Sequence, residues 1–375
     1  MLQGINLTLM IGPAVPVPAP RSVVEALTEV EVRVPTTGPS VFDLRFSLEK
    51  KSPLETIFLI SGGAVPPLLR VVLVATLGGL PEVLIDGVVT ETELSPGSGE
   101  SRPTLTVRGE DLSRVMDYIE LDGLPYPAMP AMARVALMLA KYAAFGVVPL
   151  VIPPILTDVP IPVERIPAQQ GTDLAYIKQL AEEVGYVFYL EPGPAPGTSF
   201  AYWGPLVKVG PPQPALNTDM DAHTNVESLS FSLNTEEKSL PVLFVHNQLT
   251  KIPIPIPVPD IGPLNPPLGL VQPLPKRLEM LSGTARMPPM RAASIGLTRA
   301  AESADVVQGS GSLDVLRYGR VLKARRLVGV RGAGTAFNGL YYVSSVTHRL
   351  QRGEYKQDFT LTRNGLISTL PKVPA

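Results

Sequence analysis

Alternation of apolar and polar residues is the main pattern in this chain. Residues 30–34 (VEVRV) and 42–48 (FDLRFSL) place an apolar side chain at every second position, which is typical of a strand with one face in a core. Residues 83–89 hold Asp86-Gly87 between two apolar runs, and this predicts a hairpin turn at these two residues. The pattern favours a mainly β fold with α/β insertions.

Helical periodicity is confined to a few segments. In residues 173–184 the apolar positions fall on one face of a helix. Thr172 is placed to cap its start and Gly185 to end it in the left-handed conformation, immediately before a strand at 186–190. A second, buried helix is predicted at about 132–145.

Three short segments recur in the same order in both halves of the chain. The pairs are LRFSL at 44–48 with LSFSL at 229–233, Asp86-Gly87 with Asn338-Gly339, and TLTVRG at 104–109 with TLTRNG at 360–365. Ordered self-similarity is a signature of repeated structural units. It predicts two copies of one β-domain in which Phe46 matches Phe231.

The repeat leads to a four-part plan of the chain. A first β-domain spans 1–113, an α/β insertion 114–205, a second β-domain 206–249 and 305–375, and a Pro-rich insertion 250–304. Residues 252–259 read IPIPIPVP, and proline at every second position disfavours a regular hydrogen-bonded ladder, so an extended, polyproline-like segment is expected. The role of the tract at 252–289 stays open between a strap over its own domain and an arm that docks on a neighbouring subunit.

Composition removes several kinds of chemistry. The chain of 375 residues has no cysteine and three histidines, so disulfides, thiolate metal sites and a cysteine nucleophile are excluded. The 42 prolines are about twice the usual share, while a 45% hydrophobic content indicates a folded, loop-rich chain rather than a disordered one.

Neither a signal peptide nor a stable membrane insertion is expected. The N-terminus lacks a basic segment followed by a cleavage site. The longest apolar stretch, 131–156, contains Arg134 and Lys141 and is broken by prolines in its second half, whereas a membrane-spanning helix needs about 20 apolar residues.

Residues that could carry chemistry are scattered. His223, His246 and His348 have no metal-binding spacing, and residues 329–334 (GVRGAG) lack the Lys-Ser/Thr of a phosphate loop, so a turn is expected there. Gly97-Ser-Gly99 and Gly309-Ser-Gly311 are interpreted as flexible turns. Asp219 and Asp221 are too few carboxylates for a convincing cation site. We predict no catalytic, cofactor-binding or metal-binding residues.

Charge is distributed unevenly along the chain. From residue 320 onward there are ten Lys or Arg and two acidic residues, although the whole chain has a net charge of −2. This stretch lacks the interleaved aromatic residues of a single-strand nucleic-acid binder, and no nucleic acid is expected as a partner. It favours a polar β-face matched to acidic groups on a partner or sister subunit, with a merely solvated face as the alternative.

Two segments carry a family resemblance. Residues 172–190 (TDLAYIKQLAEEVGYVFYL) resemble the helix–Gly–strand signature of late-control D and VgrG-type tail hub proteins. The final segment is similar to the closing strands of that family, with FNGLYYVSSVTHRL at 337–350, GEY at 353–355 and FTLTR at 359–363.

The resemblance implies a structural baseplate hub of a contractile phage tail or a related injection particle, assembled in the cytoplasm. Hubs of this family carry two similar tube-protein-like β-barrel domains per subunit, so a homotrimer presents a pseudo-sixfold ring to the hexameric inner tube. The implied partners are the inner tube protein, a trimeric spike and other baseplate proteins. VgrG-type chains continue into spike domains, whereas this sequence stops at Ala375, so a separate spike protein is expected. The Pro-rich tract also departs from the family's pattern.

Two other functions remain open from the residues alone. A tail-associated cell-wall hydrolase would need paired carboxylates, for which Glu182-Glu183 or Asp43 would be the candidates. A carbohydrate-binding β-module would display aromatic residues, of which the chain has few, including a single Trp. A non-enzymatic hub is the leading hypothesis.

Overall fold

The structure is a computed structural model that describes residues 4–49, 54, 57–58, 68–97, 102–154, 159–163, 166–236, 238–246, 253–258, 265–281 and 289–370. Strands predominate in it. The strands of the first half of the chain are β1 (Ile5–Gly12), β2 (Val17–Pro18), β3 (Leu27–Pro35), β4 (Val41–Ser47), β5 (Arg70–Leu77), β6 (Leu80–Ser95), β7 (Thr104–Asp111), β8 (Val147–Val151), β9 (Val187–Pro192) and β10 (Ser199–Gly204).

The second half of the chain is also made mainly of strands. Its strands are β11 (Gln213–Asn217), β12 (Ser228–Leu233), β13 (Ser239–His246), β14 (Pro253–Pro257), β15 (Gly269–Val271), β16 (Arg277–Met280), β17 (Val307–Asp314), β18 (Leu327–Arg331), β19 (Gly339–Gln351), β20 (Glu354–Arg363) and β21 (Leu366–Ser368). The helices are α1 (Arg21–Ala26), α2 (Ala131–Ala140), α3 (Asp173–Val184), α4 (Pro289–Ser303), α5 (Val315–Tyr318) and α6 (Gly334–Phe337), with short 3₁₀ helices at Leu112–Asp117, Ala143–Phe145 and Asp221–His223.

One 13-stranded sheet contains strands from both ends of the chain, and its two halves have the same strand order. In the first half β1 pairs β5, β5 pairs β6, β6 pairs β7, β7 pairs β4 and β4 pairs β3. In the second half β11 pairs β18, β18 pairs β19, β19 pairs β20, β20 pairs β17 and β17 pairs β12. The equivalent strands also follow one another in the same order along the chain. One difference is that β1 runs antiparallel to β5, whereas β11 runs parallel to β18. The halves are joined where β19 pairs β3.

The sequence matches that suggested the repeat do not align with this strand order. Phe46 lies in β4, whose counterpart is β17, while Phe231 lies in β12, the counterpart of β3. The predicted match of Phe46 with Phe231 is therefore wrong. The other two matches fall at shifted positions. Asp86-Gly87 lie inside β6 whereas Asn338-Gly339 stand at the very start of β19, and Thr104 begins β7 whereas Thr360 lies near the end of β20. Alternating Leu, Phe and Ser residues occur in any half-buried strand. The similarity of the two segments therefore reflects this shared alternation and not equivalent places in the fold.

The predicted turn at Asp86-Gly87 is also wrong. The hairpin between β5 and β6 turns at Gly78-Gly79, where both residues have positive φ, and Asp86-Gly87 lie inside β6. A Cβ on Gly87 would lie 2.2 Å from the carbonyl oxygen of Glu110, so glycine is required by close strand approach rather than by a turn.

Gly309 and Gly311, predicted to lie in a flexible turn, are likewise inside a strand, β17. A Cβ at Gly309 would meet the ring of Phe231 at 2.7 Å, and one at Gly311 would meet the carbonyl oxygen of Ser228 at 2.3 Å. The glycines leave room for the neighbouring strand. Gly97 lies just beyond β6, and Gly99 lies outside the described residues.

A separate layer is formed by α2, α3 and the three-stranded sheet β8-β10-β9. Its core surrounds the fully buried Trp203, with Ile177 and Leu180 from α3 and Leu190 from β9. The predicted ends of α3 are confirmed. The Thr172 hydroxyl accepts a hydrogen bond from the Ala175 N–H at 3.2 Å, and Gly185 is left-handed with φ 71° and ψ 34°.

Replacing Gly185 by Val is expected to lower the free energy of unfolding by about 1–2 kcal/mol, because a left-handed conformation brings Cβ against the following carbonyl oxygen. The matched control is Glu182→Gln, an exposed change on the same helix, which should alter stability by less than about 0.5 kcal/mol. Urea unfolding measures both. Equal stabilities for the two variants would contradict the role given to Gly185.

The Pro-rich segment forms a strand, contrary to the expectation that its prolines prevent a ladder. Residues Pro253–Pro257 pair antiparallel with β13, which also pairs with β16 in a small sheet. Because β14 is at the edge of this sheet, prolines at alternate positions leave the N–H groups of Ile254 and Ile256 for β13. β13, which the four-part plan gives to the second β-domain, thus lies outside the large sheet; the rest of the tract from 252 to 289 is only partly within the described residues.

One cluster of buried side chains runs through both halves of the large sheet, from Val32, Leu44 and Val107 to Val343 and Leu361. Most strands contribute one face to it, as alternation requires, whereas β5 is buried on both faces, with Val72 and Val74 in a second small cluster. Among the described residues, no helix has the length and apolar character needed to cross a bilayer.

Candidate functional site

Outside the apolar patch around Val72, Val74 and Val83, the face of the large sheet opposite the core is polar and carries a row of charges. Successive register pairs align seven charged residues across seven neighbouring strands. In order from β6 to β17 they are Glu91, Arg108, Asp43, Glu31, Arg349, Lys356 and Asp314. We call this set the charged row. It crosses the junction between the two halves without interruption.

The charged row and its neighbours are paired internally. Arg108 lies 3.3 Å from Asp43 and 3.1 Å from Glu91, and these carboxylates raise the pKa of the guanidinium. Arg349 lies 2.9 Å from Asp358 and 3.6 Å from Glu31. The side chains are partly exposed, so each pair contributes about 0–1 kcal/mol. Their joint effect is to present a polar but largely neutralised surface.

Beside the charged row, β12 and β17 present hydroxyl groups. The Ser228 and Ser312 side-chain oxygens lie 2.9 Å apart, and those of Ser230 and Ser310 lie 3.1 Å apart. These residues line a shallow open groove of about 450 Å³ that also includes Arg33 and Arg349. Its lining is mostly hydroxyl and charged side chains, whereas small-molecule pockets are mostly apolar.

Several residues of the basic C-terminal stretch pair with acidic residues of the same chain, and their match to a partner or sister subunit stays a prediction. Lys323 pairs with Glu82 at 2.6 Å, Lys356 with Glu227 at 3.2 Å, and Arg326 with Glu191 at 3.6 Å. Arg363 is buried, stacks on Tyr341 at 4.5 Å and donates to two backbone carbonyls. The uneven charge along the sequence is therefore evened out by folding.

Two edges of the large sheet carry no strand beside them in the part of the chain that the structure describes. The second half of β6, from Glu91 to Ser95, pairs with β7 alone, and β12 pairs with β17 alone. Leu94 at the first edge and Leu233 at the second are 43% and 42% exposed. Open edges of this kind are ready to accept another strand.

A buried ion pair missed by the sequence reasoning joins the sheet to the α/β layer. Arg70 and Asp86 are bidentate, with both N–O distances 2.7 Å, and their side chains are 2% and 0% exposed. Arg70 also donates to the carbonyl oxygens of Ala14 and Gly197. Burial raises the pKa of Asp86, and the hydrogen bonds from Arg70 oppose that shift. The sequence held a signal for this pair, because Arg70 and Asp86 each stand in the middle of an apolar run.

The three histidines lie in different elements of the fold. His348 is buried in β19 with its Nδ1 2.7 Å from the Tyr355 hydroxyl, and burial lowers its pKa to about 3. His223 is exposed in a 3₁₀ turn. His246 ends β13, and its side chain lies outside what the structure describes.

The candidate carboxylates of the hydrolase hypothesis lie in different parts of the fold. Glu182 and Glu183 lie near the end of α3, Glu182 exposed and Glu183 beside Gln179, whereas Asp43 is in the charged row.

Asp219 and Asp221 are exposed, both with positive φ. Residues 329–334 comprise the end of β18, a bend and the start of α6. Within the described ranges, no three His, Cys, Asp or Glu side chains converge as metal ligands.

Comparison with known proteins identifies the fold. No family model matches the sequence, and no curated protein matches it significantly. A tail protein from Neisseria meningitidis MC58 is similar in structure with a TM-score of 0.62 and 13% identity, covering 97% of this chain and 98% of that one. The 43 kDa tail protein of prophage MuSo2 from Shewanella oneidensis has a TM-score of 0.60 and 14% identity, with 96% and 98% covered.

A third similar structure comes from a secretion apparatus. The Escherichia coli c3393 protein, described as a type VI secretion system component similar to the T4 tail proteins gp27 and gp5, has a TM-score of 0.52 and 14% identity, covering 93% of this chain and 76% of that one. The chain therefore has the fold of phage tail and VgrG-type proteins. The resemblance drawn from the helix–Gly–strand motif and the closing strands is confirmed at the level of the fold.

Proposed function

We propose that this protein is a structural baseplate hub of a contractile phage tail or a related injection particle, with no enzymatic activity of its own. The observation that carries the proposal is the repeated strand order inside a chain with a tail-protein fold. Two equivalent halves per chain give six per homotrimer, which is the number needed to match a hexameric inner tube.

In this proposal the two halves are two tube-like domains, formed by residues 1–113 and by 206–249 with 305–375, except for β13, which pairs with the Pro-rich insertion. The α/β layer and the Pro-rich insertion lie on the outside of the ring. The polar sheet face with the charged row lines the central channel, since its charges are already paired and offer little to a passing macromolecule. The inner tube protein sits on one side of the ring. A spike carried by a separate chain and other baseplate proteins complete the particle, which assembles in the cytoplasm.

The proposal predicts a trimer of about 120 kDa from the 40.1 kDa chain. Light scattering coupled to size exclusion, run from about 1 to 50 μM, measures the mass directly. A monodisperse 40 kDa species across this range would contradict the hub assignment.

A further inference from the structure

Four strands of one half, β6, β7, β4 and β3, match β19, β20, β17 and β12 of the other half residue by residue around a shared bulge. The pairing of β6 with β7 shifts register between Val89 and Glu91, and that of β19 with β20 shifts between Val343 and Ser345. The bulged residues are Thr90 and Ser344. Bulges are specific features of a strand, so their coincidence fixes the alignment of β6 on β19.

Hydrogen bonds confirm this alignment. The Thr90 hydroxyl donates to the Arg108 carbonyl oxygen, and the Ser344 hydroxyl donates to the carbonyl oxygen of Thr360, the equivalent residue in β20. The Val89 N–H donates to the carbonyl oxygen of Leu69 at 2.9 Å. The Val343 N–H makes the same bond to Arg326, also at 2.9 Å.

Within the chain, the second half of β19 pairs antiparallel with β3. His348 lies opposite Val32, and Thr347 lies opposite Arg33. By the alignment, the same segment of β6 runs from Glu91 onward, and the strand equivalent to β3 is β12, with Phe231 in the place of Val32. These are the two edges that no described strand covers. The chain therefore makes the β19–β3 contact internally, whereas the equivalent strands, β6 and β12, each keep an open edge.

Burial differs between the used and unused edges. His348 and Val32 are 4% and 0% exposed at the internal contact. Leu94, the equivalent of His348, is 43% exposed, and Leu233 near the end of β12 is 42% exposed. Leu229, Phe231 and Leu233 repeat the alternation of Val30, Val32 and Val34 on the same face of the sheet. The apolar side chains that the internal contact covers are thus uncovered at the open edges.

We propose that β12 of one copy pairs antiparallel with the second half of β6 of the next copy, in the register of the internal β19–β3 contact. Leu94 then lies opposite Phe231 and Glu93 opposite Ser232 of the next copy. The partner is a second copy of this chain because the missing edge for each open strand is present on the chain itself. The contact is heterologous, so copies join head to tail; its closure at three copies rests on the proposed hub function.

Engineered cysteines test the pairing cleanly, since the chain has none of its own. Directly opposed residues of antiparallel strands have Cα atoms about 4.5–5.5 Å apart, which suits a disulfide. The variant Glu93→Cys with Ser232→Cys should therefore form intermolecular cross-links on mild oxidation, giving covalent species up to three chains. The matched control, Glu93→Cys with Ser228→Cys, moves one thiol about 13 Å along the strand and should remain uncross-linked.

A second variant tests the contact without disulfide geometry. Leu94→Asp should weaken association by roughly tenfold or more, because an unpaired carboxylate would be buried against Phe231. Leu80→Asp, on the same strand but at the 77% exposed hairpin, should leave association unchanged.

The outcomes separate this proposal from the hub function. A trimer that neither cross-links through residues 93 and 232 nor responds to Leu94→Asp would overturn the pairing and leave the hub assignment standing. Specific cross-links that extend far beyond three chains would support the pairing and contradict the ring. A monomer for the unaltered chain would overturn both.

Discussion

Replacing Arg70 by Met is expected to lower the free energy of unfolding by about 3–5 kcal/mol, because the change leaves the Asp86 carboxylate buried without its partner. The pair is fully enclosed, and Arg70 also satisfies two backbone carbonyl oxygens. Since Gly197 belongs to the α/β layer, the loss should also loosen the attachment of that layer to the large sheet. Urea unfolding at pH 7 measures the effect.

The pH dependence of this variant identifies the cause. Without Arg70, the pKa of the buried Asp86 is raised further, so the folded state holds a proton that the unfolded state releases as the pH rises above about 4. The destabilisation relative to the unaltered chain should therefore be smaller at pH 4.5 than at pH 7. The double variant Arg70→Met with Asp86→Asn, which has no charge to bury, should be more stable at pH 7 than Arg70→Met alone.

Arg108→Met is the matched control for Arg70→Met. Arg108 has three carboxylates within 3.3 Å, yet its side chain is 44% exposed, so its replacement should cost less than about 1 kcal/mol. Similar losses of unfolding free energy for the two variants would show that burial does not determine how much the Arg70–Asp86 pair stabilises the fold.

Local features of this chain were readable from its sequence. The helix Asp173–Val184 with its Thr172 and Gly185 ends is encoded within a dozen residues, since capping and left-handed closure depend on neighbours in sequence. Strands with one buried face followed from alternation for the same reason. Asp86-Gly87 shows where this fails, because an Asp-Gly pair in a strand is explained only by Arg70 and Glu110 on adjacent strands.

The equivalence of the two halves is a feature of strand order rather than of sequence. At structurally matched positions, FDLRFS of β4 corresponds to GSGSLD of β17, and no identity survives. What is kept is the pairing pattern, the bulge and two hydrogen bonds, all of which connect residues distant in sequence. The charged row was equally hidden, because its seven residues come from seven strands and meet only through register.

The second large expected effect is a loss of stability at acid pH. The free energy of unfolding should fall steeply as the pH drops below about 6.5, and His348 should account for much of this loss. Its pKa is about 3 in the folded protein because burial disfavours the charged imidazolium, whereas an unfolded histidine titrates near 6.5. Between these values the unfolded state binds a proton that the folded state does not, so stability is full above pH 6.5 and decreases as the pH falls, by up to about 1.4 kcal/mol per pH unit.

Urea unfolding between pH 7 and pH 4.5 of the unaltered chain and of His348→Gln tests this assignment. The variant loses the contact of Nδ1 with the Tyr355 hydroxyl at every pH, which is a constant offset, but it cannot take up the proton. The stability difference between the two proteins should therefore shrink as the pH falls, by about 2 kcal/mol or more over this range. His223→Gln, at an exposed histidine, should keep the steep dependence of the unaltered chain. Parallel curves for the unaltered chain and His348→Gln would show that acid sensitivity arises at other groups, and that His348 takes up its proton over the same pH range in the folded and unfolded states.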